Sequence, residues 1–141
     1  MESCAFCRIL AGELEKSLVY EDEMCMAIMD VQPINRGHVL IIPKQHVTLL
    51  QDLDDEVCRH IMIVGKRVGA ALRASRVNLE ALCYFLADGD AAGQEIPHVH
   101  LHVFPRFAGD GFRLMFPPGY MEATERSKLE ETARLIREQL V

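Results

Sequence analysis

Between His98 and Val103 the chain alternates strictly: His98, His100 and His102 take every second position, and Val99, Leu101 and Val103 fill the gaps. A β-strand sends successive side chains to opposite faces, so this stretch predicts a strand with one imidazole face and one aliphatic face. Pro105 is expected to end it. Only three other histidines, His38, His46 and His60, occur in the 141 residues. Three imidazoles in a row give a core nothing that Val or Thr does not supply. The strand therefore needs a sheet around it, a hydrophobic layer behind it and a chemical task in front of it.

The rest of the chain provides the sheet. Leu18–Glu21 and Met24–Met29 read as a hairpin around the turn Glu21-Asp22-Glu23. His38–Ile42 is a central strand stopped by Pro43, and Leu82–Leu86 is another strand. Helical spacing of apolar residues predicts a short helix from Phe6 to Leu14, with Gly12 as an early breaker. It also predicts a long helix starting near Asp52–Asp55, with Val57, Ile61, Val64, Val68 and Leu72 on its buried stripe. A terminal helix carries Leu129, Ala133, Ile136 and Leu140 on one face. The sum is an α+β fold in one domain, residues 1–141, with about five antiparallel strands and two main helices.

Composition removes several function classes. Fifteen basic against twenty-one acidic residues give a net charge of −6, the opposite of a nucleic-acid footprint. No segment reaches the roughly 20 apolar residues of a membrane helix. Met1-Glu2-Ser3-Cys4 has neither the basic start nor the apolar core of a signal peptide, so a cytoplasmic protein with no membrane partner is expected. Five cysteines fit no disulfide framework. Cys25, Cys58 and Cys83 sit in apolar runs and read as small buried hydrophobes.

Three readings of the histidine strand compete: a solvated polar edge, a three-histidine zinc site with an activated water, and an imidazole nucleophile. A neutral imidazole has a free lone pair and a pKa near 6.5, so it can attack phosphorus while its neighbour donates a hydrogen bond. The preceding loop, Ala87–Gln94, favours the third. Gly89 and Gly93 permit turns that aim N–H groups at an anion, and Gln94 adds an amide donor.

These residues resemble the histidine triad (HIT) superfamily. The resemblance is carried by His98-Val99-His100-Leu101-His102-Val103-Phe104 with Ala92-Gly93-Gln94 before it, by Asp30–His46, and by Cys4–Glu13. It runs nearly end to end. It implies that His100 attacks the α-phosphorus of a purine nucleotide derivative, a dinucleoside polyphosphate or a nucleoside phosphoramidate. A nucleotidyl-histidine forms and water then hydrolyses it. A nucleotidyl transferase or phosphorylase, or a nucleotide-binding regulatory module, are the alternatives. His102 is expected to hold the phosphate or leaving-group oxygen, with Gly93 N–H and the Gln94 amide stabilising the α-phosphate. Asp30 is expected at the ribose, His38 behind the triad, and Phe6, Ile9, Ile28, Val31 and Leu40 around the base. Ala87 and Glu95 depart from the Asn or Gln and the hydroxyl residue of familiar branches.

The Cys4-x-x-Cys7 pair has three readings: structural zinc, two unmetallated surface thiols, and a redox pair or another metal. The zinc reading takes His46 and His98 as the remaining ligands, an arrangement familiar in similar bacterial proteins. No organic cofactor is implied. The resemblance also implies a homodimer with joined sheets, in which Met115–Gly119 and the terminal helix reach the partner's site.

Overall fold

The computed structural model describes residues 4–140. The reading of Met1–Ser3 as the start of a non-secretory N-terminus lies outside them. The chain forms two compact units, Met1–Gly111 and Phe112–Val141.

The first unit contains α1 (Ala5–Leu10), β1 (Leu18–Glu21), β2 (Cys25–Met29), β3 (Val39–Pro43), α2 (Asp55–Ala74), β4 (Ala81–Phe85) and β5 (Leu101–Arg106). The five strands make one antiparallel sheet in the order β1-β2-β3-β5-β4. Period-2 alternation divides their side chains between two layers. Cys25, Ala27, Val39, Ile41, Leu101 and Val103 pack with the α2 stripe Ile61, Val64, Val68 and Leu72. Met26, Ile28, Leu40 and Ile42 face the other way and pack with Cys4 and Phe6. The histidines belong to this second face. Gly65 and Gly69 let α2 approach closely, because a Cβ on them would sit 2.7 Å from Leu101 and 2.0 Å from the Tyr84 hydroxyl.

Three sequence expectations need correction. The first helix stops at Leu10, with Gly12 at φ +79° just beyond it. The β5 ladder begins only at Leu101, so His98 and His100 precede the strand proper, although Val99 still packs with Leu101 and Val103. Pro43 is the last residue of β3, as expected, but Pro105 does not end β5, which runs on to Arg106; both prolines are paired, Pro43 with Cys25 and Pro105 with Leu82. A strand residue points its N–H and C=O to one side. The Pro43 carbonyl accepts from His98 Nε2 at 2.8 Å, and the Pro105 carbonyl from Asn35 Nδ2 at 2.8 Å. Each proline thus turns its donor-less side beyond the end of the β3–β5 ladder, where no N–H is needed.

The second unit carries α3 (Arg126–Arg137). Its Leu129, Leu135 and Ile136 are exposed, and Phe116 stacks on Tyr120 at 4.1 Å between ring centroids. Among the described residues no helix is long and apolar enough to cross a membrane.

Candidate active site and metal centre

The segment Ile96–His102 runs alongside the end of β3, and its three histidines meet different neighbours. His98 is fully buried. Its Nε2 lies 2.8 Å from the Pro43 carbonyl, an obligate acceptor, so Nε2 carries the proton and Nδ1 keeps a lone pair. That Nδ1 lies 3.5 Å from Cys4 Sγ, 3.7 Å from Cys7 Sγ and 3.1 Å from His46 Nδ1, while Cys7 Sγ is 3.2 Å from His46 Nδ1. Zinc–nitrogen bonds of about 2.0–2.1 Å and zinc–sulfur bonds of about 2.3 Å imply ligand–ligand edges of roughly 3.3–3.8 Å in a tetrahedron. The four donors therefore fit a closed metal centre, with the Pro43 carbonyl orienting one imidazole from behind. The residues named from the sequence converge as one group able to hold a metal ion.

His100 is buried and points elsewhere. Its Nδ1 donates to the His98 carbonyl at 2.8 Å, which fixes the tautomer and leaves Nε2 as the lone-pair nitrogen. Burial holds its pKa below the ordinary 6.5, although the His98 carbonyl and the charges of Asp30 and Glu95 pull it up. Phe6 of α1 meets the His100 ring edge-on at 4.9 Å, so the same short helix supplies Cys7 and a wall for His100.

His102 completes a chain of defined polarity. The Ile34 N–H can only donate, and it lies 3.1 Å from His38 Nδ1. His38 therefore carries its proton on Nε2, which lies 2.9 Å from His102 Nδ1. His102 Nδ1 accepts, so its own proton sits on Nε2. Burial, followed by the neighbouring His100 and His38, lowers the His102 pKa to about 4. His102 is thus a neutral hydrogen-bond donor beside the His100 imidazole, with ring centroids 4.7 Å apart. The three histidines do not converge on one metal; among the described residues, the groups able to hold an ion divide them.

The depressed pKa makes stability pH-dependent. In the unfolded chain His102 titrates near 6.5, and in the fold near 4. Between these values the unfolded state binds more protons, so stability is full above pH 6.5 and declines as pH falls toward 4. His38 and His100 shift in the same direction, both through burial. The urea midpoint is expected to be lower at pH 5 than at pH 7, and His102→Gln should narrow the gap; equal midpoints in the original protein would contradict this account.

The other candidate residues divide. Asp30 sits beside the triad with Oδ2 3.5 Å from His38 Nε2, and its Oδ1 accepts from the Gln32 N–H at 2.9 Å. Phe6, Ile28 and Leu40 share one buried cluster, with Ile9 packed against it. Val31 does not join them and is 92% exposed. The phosphate donors also need correction. Gly93 N–H closes a 3-10 turn on the Asp90 carbonyl at 2.9 Å. Gln94 bridges the loop, accepting from Gly89 N–H and donating Nε2 to the Thr48 carbonyl, each at 2.8 Å. The short turn Asp90–Ala92 needs these bonds; only the second amide hydrogen of Gln94 is left for a ligand.

Sequence reasoning missed Ile34, whose N–H starts the tautomer chain, and Phe85, whose ring lies 5.8 Å from His102. Phe85 could be placed only through the β4–β5 register, which pairs it with His102. Nothing in the sequence marks the Ile34 backbone.

The HIT domain family model matches residues 11–109. An uncharacterised HIT-like protein of Mycobacterium tuberculosis is 39% identical over 137 residues, 97% of this chain and 92% of the relative. A zinc-bound histidine triad family protein from Mycobacterium smegmatis superposes with a TM-score of 0.76 at 36% identity, covering 97% of this chain and 92% of that one. A histidine triad nucleotide-binding protein from Candida albicans gives a TM-score of 0.86 at 30% identity, covering 97% and 96%. With the triad, its sheet and these likenesses in place, the chain belongs to the HIT domain family.

Proposed function

We propose that this protein hydrolyses a purine nucleotide derivative at its α-phosphate through a nucleotidyl intermediate on His100. The observation that carries the proposal is the pair of fixed tautomers. His100 holds its proton on Nδ1 against the His98 carbonyl, so Nε2 offers a lone pair. His102 accepts at Nδ1 from His38, so Nε2–H faces outward as a donor. The His100 Nε2 lone pair forms a bond to the α-phosphorus as the bond to the leaving group breaks and its electron pair departs with that group. The His102 Nε2–H stabilises the charge developing there by hydrogen bonding. Water then attacks the phosphorus and loses a proton to solvent as the new P–O bond forms, the P–N bond breaks, and its electron pair returns to Nε2. Asp30 has carboxylate lone pairs left for ribose hydroxyls, and the second Gln94 amide hydrogen is left for phosphate. Phe6, Ile9, Ile28 and Leu40 supply the apolar surface for the base.

Mixing the protein with adenosine 5′-phosphoramidate, quenching in the millisecond range and mapping the tryptic peptide of the triad should reveal an added adenylyl group on His100. A phosphorylase or transferase would form the same adduct but require phosphate or another acceptor for release. No adduct in the original protein, or an unchanged adduct in His100→Ala, would refute the nucleophile.

His38 acts as a positioning residue. His38→Ala removes the donor that fixes the His102 tautomer, and kcat/KM is expected to fall about 10²-fold. His38→Gln, which can still donate toward His102, should recover part of that loss. Equal losses in both variants would argue against the tautomer role.

The structural metal we assign to Cys4, Cys7, His46 and His98 is zinc, given two thiolates and two imidazoles at tetrahedral spacing. Bound there, it pins α1 to the segment before β5 and takes no part in the chemistry. We also infer a homodimer in which the edge strand β4, with Tyr84 and Phe85 exposed at 43% and 42%, meets its copy so that the two sheets join.

A further inference from the structure

On the α2 side of the sheet, opposite the histidines, lies an open cavity of about 470 Å³. Val39, Val64, Val68 and Leu72 form its floor, and all four are buried. Arg36 and Arg67 also line it, and both are exposed. None of its lining residues is acidic, and among the described residues neither arginine has an ion-pair partner. In a chain of net charge −6, two cations left unpaired at the mouth of an apolar recess are not a by-product of general basicity. The volume lies within the range occupied by small-molecule sites, which pair an apolar lining with a few polar groups that fix orientation.

We propose that this cavity binds an amphiphile with one anionic headgroup, an alkyl carboxylate or its phosphate counterpart, with the tail on the valine and leucine floor and the headgroup between Arg36 and Arg67. The charge pattern selects this class. A neutral apolar molecule leaves the arginines unused, a cation is repelled, and a nucleotide finds for its sugar only Tyr20 and Ser75, whose hydroxyls already donate to Asp22 and to the Leu72 carbonyl. Guanidinium groups bind carboxylate and phosphate oxygens equally well as bidentate donors. The site is separate from the nucleotide site, yet β3 and the turn before it serve both: Gly37 and Val39 line the cavity, while His38 between them contacts His102.

Calorimetric titration with decanoate, kept below its micelle concentration, is expected to give one saturable site per chain. Each methylene buried contributes about a fourfold gain, so decanoate, with two more, should bind roughly fifteenfold tighter than octanoate. The Arg36→Ala/Arg67→Ala double variant should weaken decanoate at least tenfold while leaving turnover of adenosine 5′-phosphoramidate unchanged. Ala71→Trp, an exposed helix position on the lining, should block the cavity and abolish binding. Decylamine should bind at least tenfold more weakly than decanoate, and decyl phosphate should bind comparably. Amide shifts on decanoate addition should centre on Gly37 and Val39. The proposal fails if no saturable binding occurs, if decylamine matches decanoate, or if the double variant binds as tightly as the original. It also fails if decanoate does not bind and the double variant changes the oligomeric mass, for then a second copy of the chain covers the cavity.

Discussion

His100→Ala is expected to lower kcat/KM on adenosine 5′-phosphoramidate by about 10⁴-fold or more, the largest functional effect of any substitution discussed. Water cannot replace the imidazole, because Nε2 both forms the new bond to phosphorus and leaves again in the second step. The loss should lie in kcat rather than KM, since the proposed function gives base and ribose to Phe6, Leu40 and Asp30 and not to His100. His102→Ala should cost less, about 10²- to 10³-fold, because it removes a hydrogen-bond donor and spares the covalent route. Stopped-flow and steady-state kinetics on the two variants check the order. If His102→Ala proves the more damaging, the roles of the two imidazoles must be exchanged.

Removal of the metal should have the largest effect on stability. Cys7→Ser is expected to lower zinc content from one per chain to a small fraction, measured by atomic emission after dialysis. An ion that binds only the folded chain at a thousand times its Kd stabilises it by about 4 kcal/mol. At roughly 2–4 °C per kcal/mol for a chain of this size, Tm should fall by about 8–16 °C. A chelator added to the original protein should reproduce the fall, and zinc added to Cys7→Ser should not reverse it. The chemistry should suffer as well, because the His98 carbonyl that accepts the hydrogen bond from His100 Nδ1 belongs to a residue of the proposed metal centre. Unchanged zinc content and Tm in Cys7→Ser would remove the assignment.

Much of this arrangement was legible in the residue order. The alternation from His98 to Val103 predicted two faces, and the two packed layers follow it even where the ladder has not yet begun. The stripe from Ile61 to Leu72 predicted α2 and its buried side. The four metal-binding candidates, far apart in the chain, came together as the family resemblance implied. What stayed hidden depends on backbone atoms and on register. The direction of the His38–His102 hydrogen bond follows from one N–H, that of Ile34. Glycine-rich loops read as anion cradles because Gly89 and Gly93 permit the turn, but the turn at Asp90–Ala92 satisfies the Gly93 donor internally. Val31 looks like a pocket residue by type and neighbourhood, yet it falls beyond the end of β2 and faces solvent.

Pro43 and Pro105 bear on how the sheet finds its alignment during folding. Hydrophobic alternation cannot tell the observed β3–β5 alignment from one displaced by two residues, since a shift of two returns every side chain to its own face. Backbone hydrogen bonding can. The displacement that sets Pro105 opposite Val39 also sets Pro43 opposite Leu101, and at both places a buried carbonyl faces a residue with no proton to give. The prolines therefore act together as a stop on sliding in that direction. They oppose one of the two misalignments that the valines, leucines and histidines would tolerate, and they do so on β3 and β5, where misalignment would carry His102 away from His38.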